Sequence, residues 1–285
     1  MQINNPFLTF SINCCGTLLH LDTPIIMGIL NLSADSFYSN NSKIDIKNCI
    51  QKTKSMLQDG ATIIDIGAVS SKPGATYISI EEELQLLRNI AKEVIEQFPT
   101  TLFSIDTCRA EVAAFAHDIG FKIINDISGG THDATMFTTA AKRKMPVIIM
   151  HKQGTPDTMQ NNPNYNDVVL EVAEFFIQQT NKALSEGVFD VVLDVGFGFG
   201  KTLEHNYKLV NNISYFHQLN YPLLAGISRK SMLHQPLSIS PNEALNATTF
   251  VHSKLLDRGV QIYRVHDVKA MKEAIILQQL IYKNT

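Results

Sequence analysis

The chain has 285 residues, 45% of them hydrophobic and 18% charged, with a formal net charge of −3. That is enough apolar material for one sizeable core, and the mild acidity excludes the broad basic field that grips a nucleic-acid backbone. No apolar run approaches the roughly 18 residues of a membrane span, and the opening MQINNPFLTF has no cationic segment followed by an apolar one.

A soluble cytoplasmic protein with no nucleic-acid or membrane partner is therefore expected. Cys14, Cys15, Cys49 and Cys108 fit neither a zinc-ligand spacing nor a disulfide framework and read as free thiols. In chain order, FLTFSIN and TLLHLD flank a Cys-Cys-Gly turn and predict a β-hairpin able to cover the bottom of a barrel. Eight short apolar runs come next: 24–30 (PIIMGIL), 61–66 (ATIIDI), 101–105 (TLFSI), 121–124 (FKII), 146–150 (PVIIM), 191–193 (VVL), 222–226 (PLLAG) and 260–265 (VQIYRV).

Between them, segments such as KNCIQKTKSMLQDG, EEELQLLRNIAKEVIEQF, DVVLEVAEFFIQQTNKALSEG and KAMKEAIILQQLIYK place apolar residues three and four apart, as amphipathic helices do. Eight strands alternating with eight helices predict an α/β chain folded as a closed (β/α)8 TIM barrel with an N-terminal β-hairpin, rather than an open doubly wound sheet. The expected organisation is one domain over 1–285, with the hairpin in 1–22 and the barrel in 23–285.

Nearly every run stops at a polar residue: Asn31, Asp106, Asn125 with Asp126, His151, Asp194, Ser228, and Arg264 with His266. Singly, such residues serve as well to start turns or cap helices; as a set on the C-terminal rim of a parallel barrel they read as functional. Closure makes the first and eighth strands neighbours, so Asn31 should face Arg264 and His266, which strand alternation puts on one side. An amide oxygen for a metal beside two cationic or hydrogen-bonding groups suits a phosphate-bearing ligand. Arg229 and Lys230 come after the seventh strand, where barrels often build anion sites. Asp106, Asn125 and Asp194 supply two carboxylates and an amide, a set that can read the ring N–H and amino donors of a flat heterocycle.

Taken in order, GILNLSADSF from Gly28, SIDTCRAEVA, INDISGG, MHKQGTPDTMQ, LDVGFGFGKTLEHN, GISRKSM and RVHDV from Arg264 resemble the dihydropteroate synthase family over almost the whole chain. The resemblance implies a transferase of folate biosynthesis, a sulfonamide target, that condenses 6-hydroxymethyl-7,8-dihydropterin diphosphate with p-aminobenzoate and releases pyrophosphate. It implies a pterin site of Asp106, Asn125, Met150, Asp194, Phe199, Gly226, Lys230 and Arg264. For the diphosphate it implies Asn31, Ser71, Arg264 and His266, with a magnesium ion (Mg2+) on Asn31 brought largely by the substrate. The p-aminobenzoate pocket would use Phe37, Ser71, Lys72, Pro73, Phe199, Lys230 and Ser231, with Asp35 on the first loop. Asn31, Lys230, Arg264 and His266 would form the catalytic set.

Similar enzymes are thought to break the carbon–oxygen bond first and let the arylamine capture the cation, which needs no strong base. His151 reads as structural, Phe199 could be a loop anchor, and the GFGFG stretch lacks the spacing of a nucleotide loop. A homodimer through outer helices at 243–258 or 269–282 is expected.

The chain departs from the family pattern at Ser33, Ala34, Ser39, Asn40 and Asn41 in the first loop, at Ser71 and Lys72 in the second, and at Val195. These changes gather in loops of the arylamine pocket and leave the pterin and diphosphate residues nearly intact. Two rival readings remain: a pterin-using methyltransferase on a similar barrel, which would not need the SRKS pair or the RVH clamp, and a paralogue that binds a pterin without catalysis.

Overall fold

The computed structural model describes residues 8–32, 46–68, 78–154 and 163–283. Strands β1 (Ser11–Cys14) and β2 (Thr17–His20) pair antiparallel as the expected hairpin. Its turn residues, Cys15 and Gly16, have φ of 50° and 88°, the doubly left-handed turn whose twist matches that of paired strands.

Eight parallel strands then close on themselves: β3 (Ile25–Asn31), β4 (Ile63–Gly67), β5 (Leu102–Asp106), β6 (Ile123–Asp126), β7 (Val147–Met150), β8 (Val191–Asp194), β9 (Leu223–Ala225) and β10 (Ile262–Val265). The first and last are neighbours, with Val265 opposite Gly28. Each of the eight apolar runs overlaps one strand. The strands start late where Pro24, Pro146 and Pro222 precede them, since proline cannot donate to the ladder. Several run on into the polar residue at the rim, because the ladder is indifferent to side-chain polarity.

The helices are α1 (Ile46–Gln58), α2 (Ile80–Leu86), α3 (Lys92–Gln97), α4 (Ala110–Asp118), α5 (Met136–Arg143), α6 (Val168–Ser185), α7 (Leu203–Asn211), α8 (Ser231–His234), α9 (Leu245–Leu256) and α10 (Val268–Lys283). One helix per strand is thus corrected in two places. A π-helical turn at Leu87–Ala91 joins α2 to α3 and keeps Leu84, Leu87, Ile90 and Val94 all buried. After β9, the short α8 and a 3-10 turn at Pro241–Glu243 precede α9; Pro241 at the start of that turn and the reciprocal Ser240–Glu243 cap begin a new element there.

Strand alternation divides the core in two. Ile64, Ile66, Phe103, Ile105 and Leu193 face outward into the layer beneath the helices. Ile63, Leu102, Ile123, Ile148, Val192, Leu224 and Ile262 face inward at the bottom, where Ile12, Cys14, Leu19 and Leu21 of the hairpin pack onto them. The hairpin therefore plugs the barrel, each buried aliphatic side chain contributing about 1.5–3 kcal/mol. No disulfide joins any two of the four cysteines. No helix among the described residues is long and apolar enough to cross a membrane.

Candidate active site

The alternation that points Ile63 into the lower layer points Asp65 and Gly67 into the layers above it. By the same step Leu102 leads to Ser104 and Asp106, Ile123 to Asn125, Ile148 to Met150, Val192 to Asp194, Leu224 to Gly226 and Ile262 to Arg264. Hydrocarbon at the bottom thus gives way to polar groups on the same strands.

These groups are wired together. Arg264 Nε donates to Asp65 Oδ2 at 2.6 Å and Nη2 to Asp106 Oδ2 at 2.8 Å. Asn125 Nδ2 donates to the same Asp65 oxygen at 3.0 Å. The other Asp65 oxygen is buried with no hydrogen-bond partner among the described residues, an acceptor whose burial is costly until a donor reaches it. Burial pushes the Asp106 carboxyl up to about 7; the Arg264 charge opposes that shift and Asp65 adds to it. Asp194 is also raised by burial, against the pull of Lys230 and the Gly196 N–H, which donates to Asp194 Oδ1 at 2.8 Å. Arg264 is itself desolvated, but the Asp65 and Asp106 carboxylates outweigh burial and hold its charge more firmly than usual.

Two glycines keep this layer open. A Cβ at Gly67 would lie 3.4 Å from Asp106 Cβ and 3.5 Å from Asn31 Oδ1, and one at Gly226 would lie 3.8 Å from Arg264 Cβ and 3.9 Å from Asp194 Oδ2. Either side chain would fill space above the acceptors. Asn31 stands half-buried at the end of β3, and Met150 is buried at the end of β7, in register with Asp194.

The loop after β8 approaches from one side. At Gly196 (φ 66°) a Cβ would fall 1.9 Å from His151 O, so only glycine fits. Lys230 Nζ donates to Phe197 O and sits 4.4 Å from the centre of the half-buried Phe199 ring. Burial lowers Lys230 to about 8, with Asp194 opposing the shift. Ser231 comes next, exposed, as the first residue of α8.

Two expectations need correction. Strand alternation does not put Arg264 and His266 on one side, because β10 ends at Val265: the guanidinium is drawn inward by the Asp65 and Asp106 carboxylates, whereas His266 lies beyond the strand, exposed, with Nδ1 3.0 Å from Ser228 Oγ. The ladder between β10 and β3 also ends at Val265 opposite Gly28, below Asn31. Arg229, adjacent to Lys230, is not offered to an anion; Nε and Nη2 grip Asp267 at 3.0 and 2.6 Å and tie the seventh loop to the start of α10.

Phe37, Ser71, Lys72 and Pro73 lie outside the described residues, as do Asp35 and the altered positions Ser33, Ala34, Ser39, Asn40 and Asn41. The reading of His151 as structural fits its surroundings. It is buried, its Nδ1 faces Lys201 Nζ at 3.0 Å, and burial together with the Lys201 charge drives its pKa down to about 2. Sequence reasoning missed Asp65 and Lys201. Their signals were an acidic residue at an inward phase of a strand buried on both faces, and a lysine directly after a glycine-rich loop.

Residues 27–266 match the family model described as "Pterin binding enzyme". The dihydropteroate synthase of Escherichia coli (strain K12) is 40% identical over 262 residues, 91% of this chain and 92% of that protein. Among solved structures, the Xanthomonas albilineans dihydropteroate synthase with 4-aminobenzoic acid superposes with a TM-score of 0.89 at 30% identity, covering 96% of this chain and 98% of the other. The Yersinia pestis dihydropteroate synthase in a sulfonamide drug complex superposes with a TM-score of 0.90 at 35% identity, covering 96% and 100%.

Proposed function

The chain belongs to the dihydropteroate synthase family of pterin-binding barrels, and from that premise we propose how its rim residues condense 6-hydroxymethyl-7,8-dihydropterin diphosphate with p-aminobenzoate to give 7,8-dihydropteroate and pyrophosphate. The observation that carries the proposal is the buried polar layer, in which Asp65, Asp106, Asn125 and Asp194 converge and one Asp65 oxygen stands without a donor among the described residues. A flat ring edged with N–H and amino groups is its chemical complement. Asp106, Asn125 and Asp194 take the ring edge, with Asp65 aligning Arg264 and Asn125 beneath it. Met150, Phe199, Gly226 and the Arg264 guanidinium bound the ring faces, and Lys230 reaches the ring from the seventh loop.

The diphosphate tail lies toward Asn31, Ser71 and His266, with Arg264 between ring and tail. A protein cage for a metal ion would need several acidic or imidazole ligands, and the described residues contain no cluster of three. A half-buried amide oxygen at Asn31 instead fits Mg2+, which keeps waters and substrate phosphate oxygens as most of its ligands. Bound there, the ion would offset negative charge on the departing pyrophosphate. The chain's own part is to hold the departing group with Arg264 and His266 and to keep the pterin in line with the amine. p-Aminobenzoate meets the pterin between Phe199, Lys230 and Ser231, and the family resemblance assigns Phe37, Ser71, Lys72 and Pro73 to the same pocket. An arylamine is unprotonated at neutral pH, so no side chain has to act as a strong base.

We place the enzyme in the cytoplasm, as a homodimer. The dimer proposal rests on exposed apolar side chains on two adjoining helices: Phe250 of α9 and Leu277 of α10, 63% and 61% exposed. Sedimentation at micromolar concentration tests it; a monomer would reject it.

The activity test is pyrophosphate release from the pterin diphosphate and magnesium, with and without p-aminobenzoate. Release that requires p-aminobenzoate and yields dihydropteroate is expected. Tight pterin binding without release would turn the reading toward a paralogue that no longer catalyses. Methyl transfer from a reduced folate without pyrophosphate would turn it toward the methyltransferase.

A further inference from the structure

We infer that Lys201 is a positioning residue for the arylamine half of the reaction: its buried side chain stakes the 196–200 loop, and with it the Phe199 ring, against the end of β7. The inference rests on the proposed arylamine site and adds a residue to it.

Lys201 is 3% exposed. Its Nζ lies 3.0 Å from His151 Nδ1, 3.2 Å from His151 O, 3.0 Å from Gly196 O and 3.0 Å from Phe199 O. All four are neutral acceptors, and an ammonium has three protons to share among them. A buried lysine without such partners is expensive, and burial does draw Lys201 down to about 7, with Asp194 opposing and Lys230 adding. Two of its acceptors belong to His151, the residue after β7, whose N–H donates to Asp194 O of β8 at 2.9 Å, and two to the glycine-rich loop. The side chain is therefore a strut between scaffold and loop.

The loop needs a strut. Gly196, Gly198 and Gly200 all have positive φ, and glycine surrenders the most conformational freedom on ordering. The turn from Phe199 N to Gly196 O, 3.1 Å, ties it internally. Further restraints come from outside: Lys230 at Phe197 O, Asn206 Oδ1 at Gly198 N, Tyr165 OH at Gly200 O, and Lys201 at Gly196 O and Phe199 O. Lys201 alone among these holds the carbonyl of the residue whose ring packs under Lys230. Asp106 and Asn125, by contrast, are fixed by the strand ladder and do not depend on the loop.

The test is Lys201→Met, which keeps the length of the side chain and removes its donors. The expected result is a KM for p-aminobenzoate raised roughly 10-fold or more, with the Kd for the pterin diphosphate, which also meets Phe199, raised by a smaller factor and by no more than the loss of the Phe199 ring itself raises it. Phe199→Ala runs beside it and should raise the same KM. If Phe199→Ala raises the KM and Lys201→Met does not, the strut is rejected and the site reading stands. Should Lys201→Met weaken the pterin diphosphate as much as p-aminobenzoate, and more than Phe199→Ala does, Lys201 only stabilises the fold and the inference is overturned. An unchanged KM in Phe199→Ala would instead overturn the site reading itself. Where methionine prevents folding, Lys201→Gln, which restores one donor group, is held to the same split between the two substrates.

Discussion

The bottom and the top of this barrel are built from the same inward-pointing side-chain phase of the same strands, yet they do opposite work. At the bottom, Ile63, Leu102, Ile148 and Val192 meet Ile12, Leu19 and Leu21 of the hairpin in a dry plug. Two to four residues further along the same strands, Asp65, Asp106, Met150 and Asp194 form a layer in which charges are buried and one carboxylate oxygen goes unmet among the described residues. The lower layer is complete as it stands, whereas the upper layer is complementary to something else. Stability and chemistry are thus stacked along one axis, and substitutions should separate them by height.

The largest effect belongs to the upper layer. Lys230→Ala and Arg264→Ala should each lower turnover by at least roughly 100-fold, the range for losing one charge-stabilising donor, as read by steady-state kinetics. Near-normal rates in both would end the site assignment. Arg264→Ala should also break the separation, because it leaves Asp65 and Asp106 buried without their counter-charge; a loss of about 3–5 kcal/mol in denaturant titration is expected.

Next comes the plug. Leu21 is fully buried, and Leu21→Ala should cost about 2–5 kcal/mol of stability while kcat/KM below the melting range stays within about 2-fold. A large change in kcat/KM would mean that the two layers are coupled.

Smaller again is Asp65→Asn, which keeps the shape and removes the charge under Arg264. Weakening one charge-assisted hydrogen bond corresponds to roughly a 10-fold rise in KM for the pterin diphosphate. An unchanged KM would show that Asp106 alone orients the guanidinium.

The smallest expected effect is in pH. Asp106 is raised to about 7, so below that pH it is neutral and cannot accept from the ring as a carboxylate. Lys230 is lowered to about 8, so above that pH it loses its charge. The free-enzyme kcat/KM profile should therefore rise toward about 7 and fall past about 8, and Lys230→Arg should remove the alkaline fall. Stability runs the other way for Asp106: its folded pKa lies above the unfolded one, so the proton it binds favours the folded state at low pH and that contribution fades as pH rises through about 7.

The hairpin and the strand order were legible because prolines, β-branched runs and a Cys-Cys-Gly turn mark them locally. Polar residues at strand ends were legible because they interrupt those runs. Asp65 was not, since it lies inside ATIIDI and only the barrel's inward phase distinguishes it from Ile64. Lys201 was hidden because three of its four partners are backbone carbonyls, which carry no sequence signature, and one pair comes from His151, distant in the chain. Nor could sequence rank Arg229 against its neighbour Lys230. That choice is made by the positive φ of Arg229, 59°, and by Asp267, which takes up its guanidinium.

The central claim is that the upper layer holds a ring and the rim above it holds a diphosphate. Calorimetric titration of Asp194→Ala and His266→Ala with the hydroxymethyl-dihydropterin and with its diphosphate tests this most directly. Asp194→Ala should weaken both ligands by the same factor, and His266→Ala should weaken the diphosphate alone. Equal weakening of both ligands by His266→Ala, or unaltered binding in Asp194→Ala, would contradict the account.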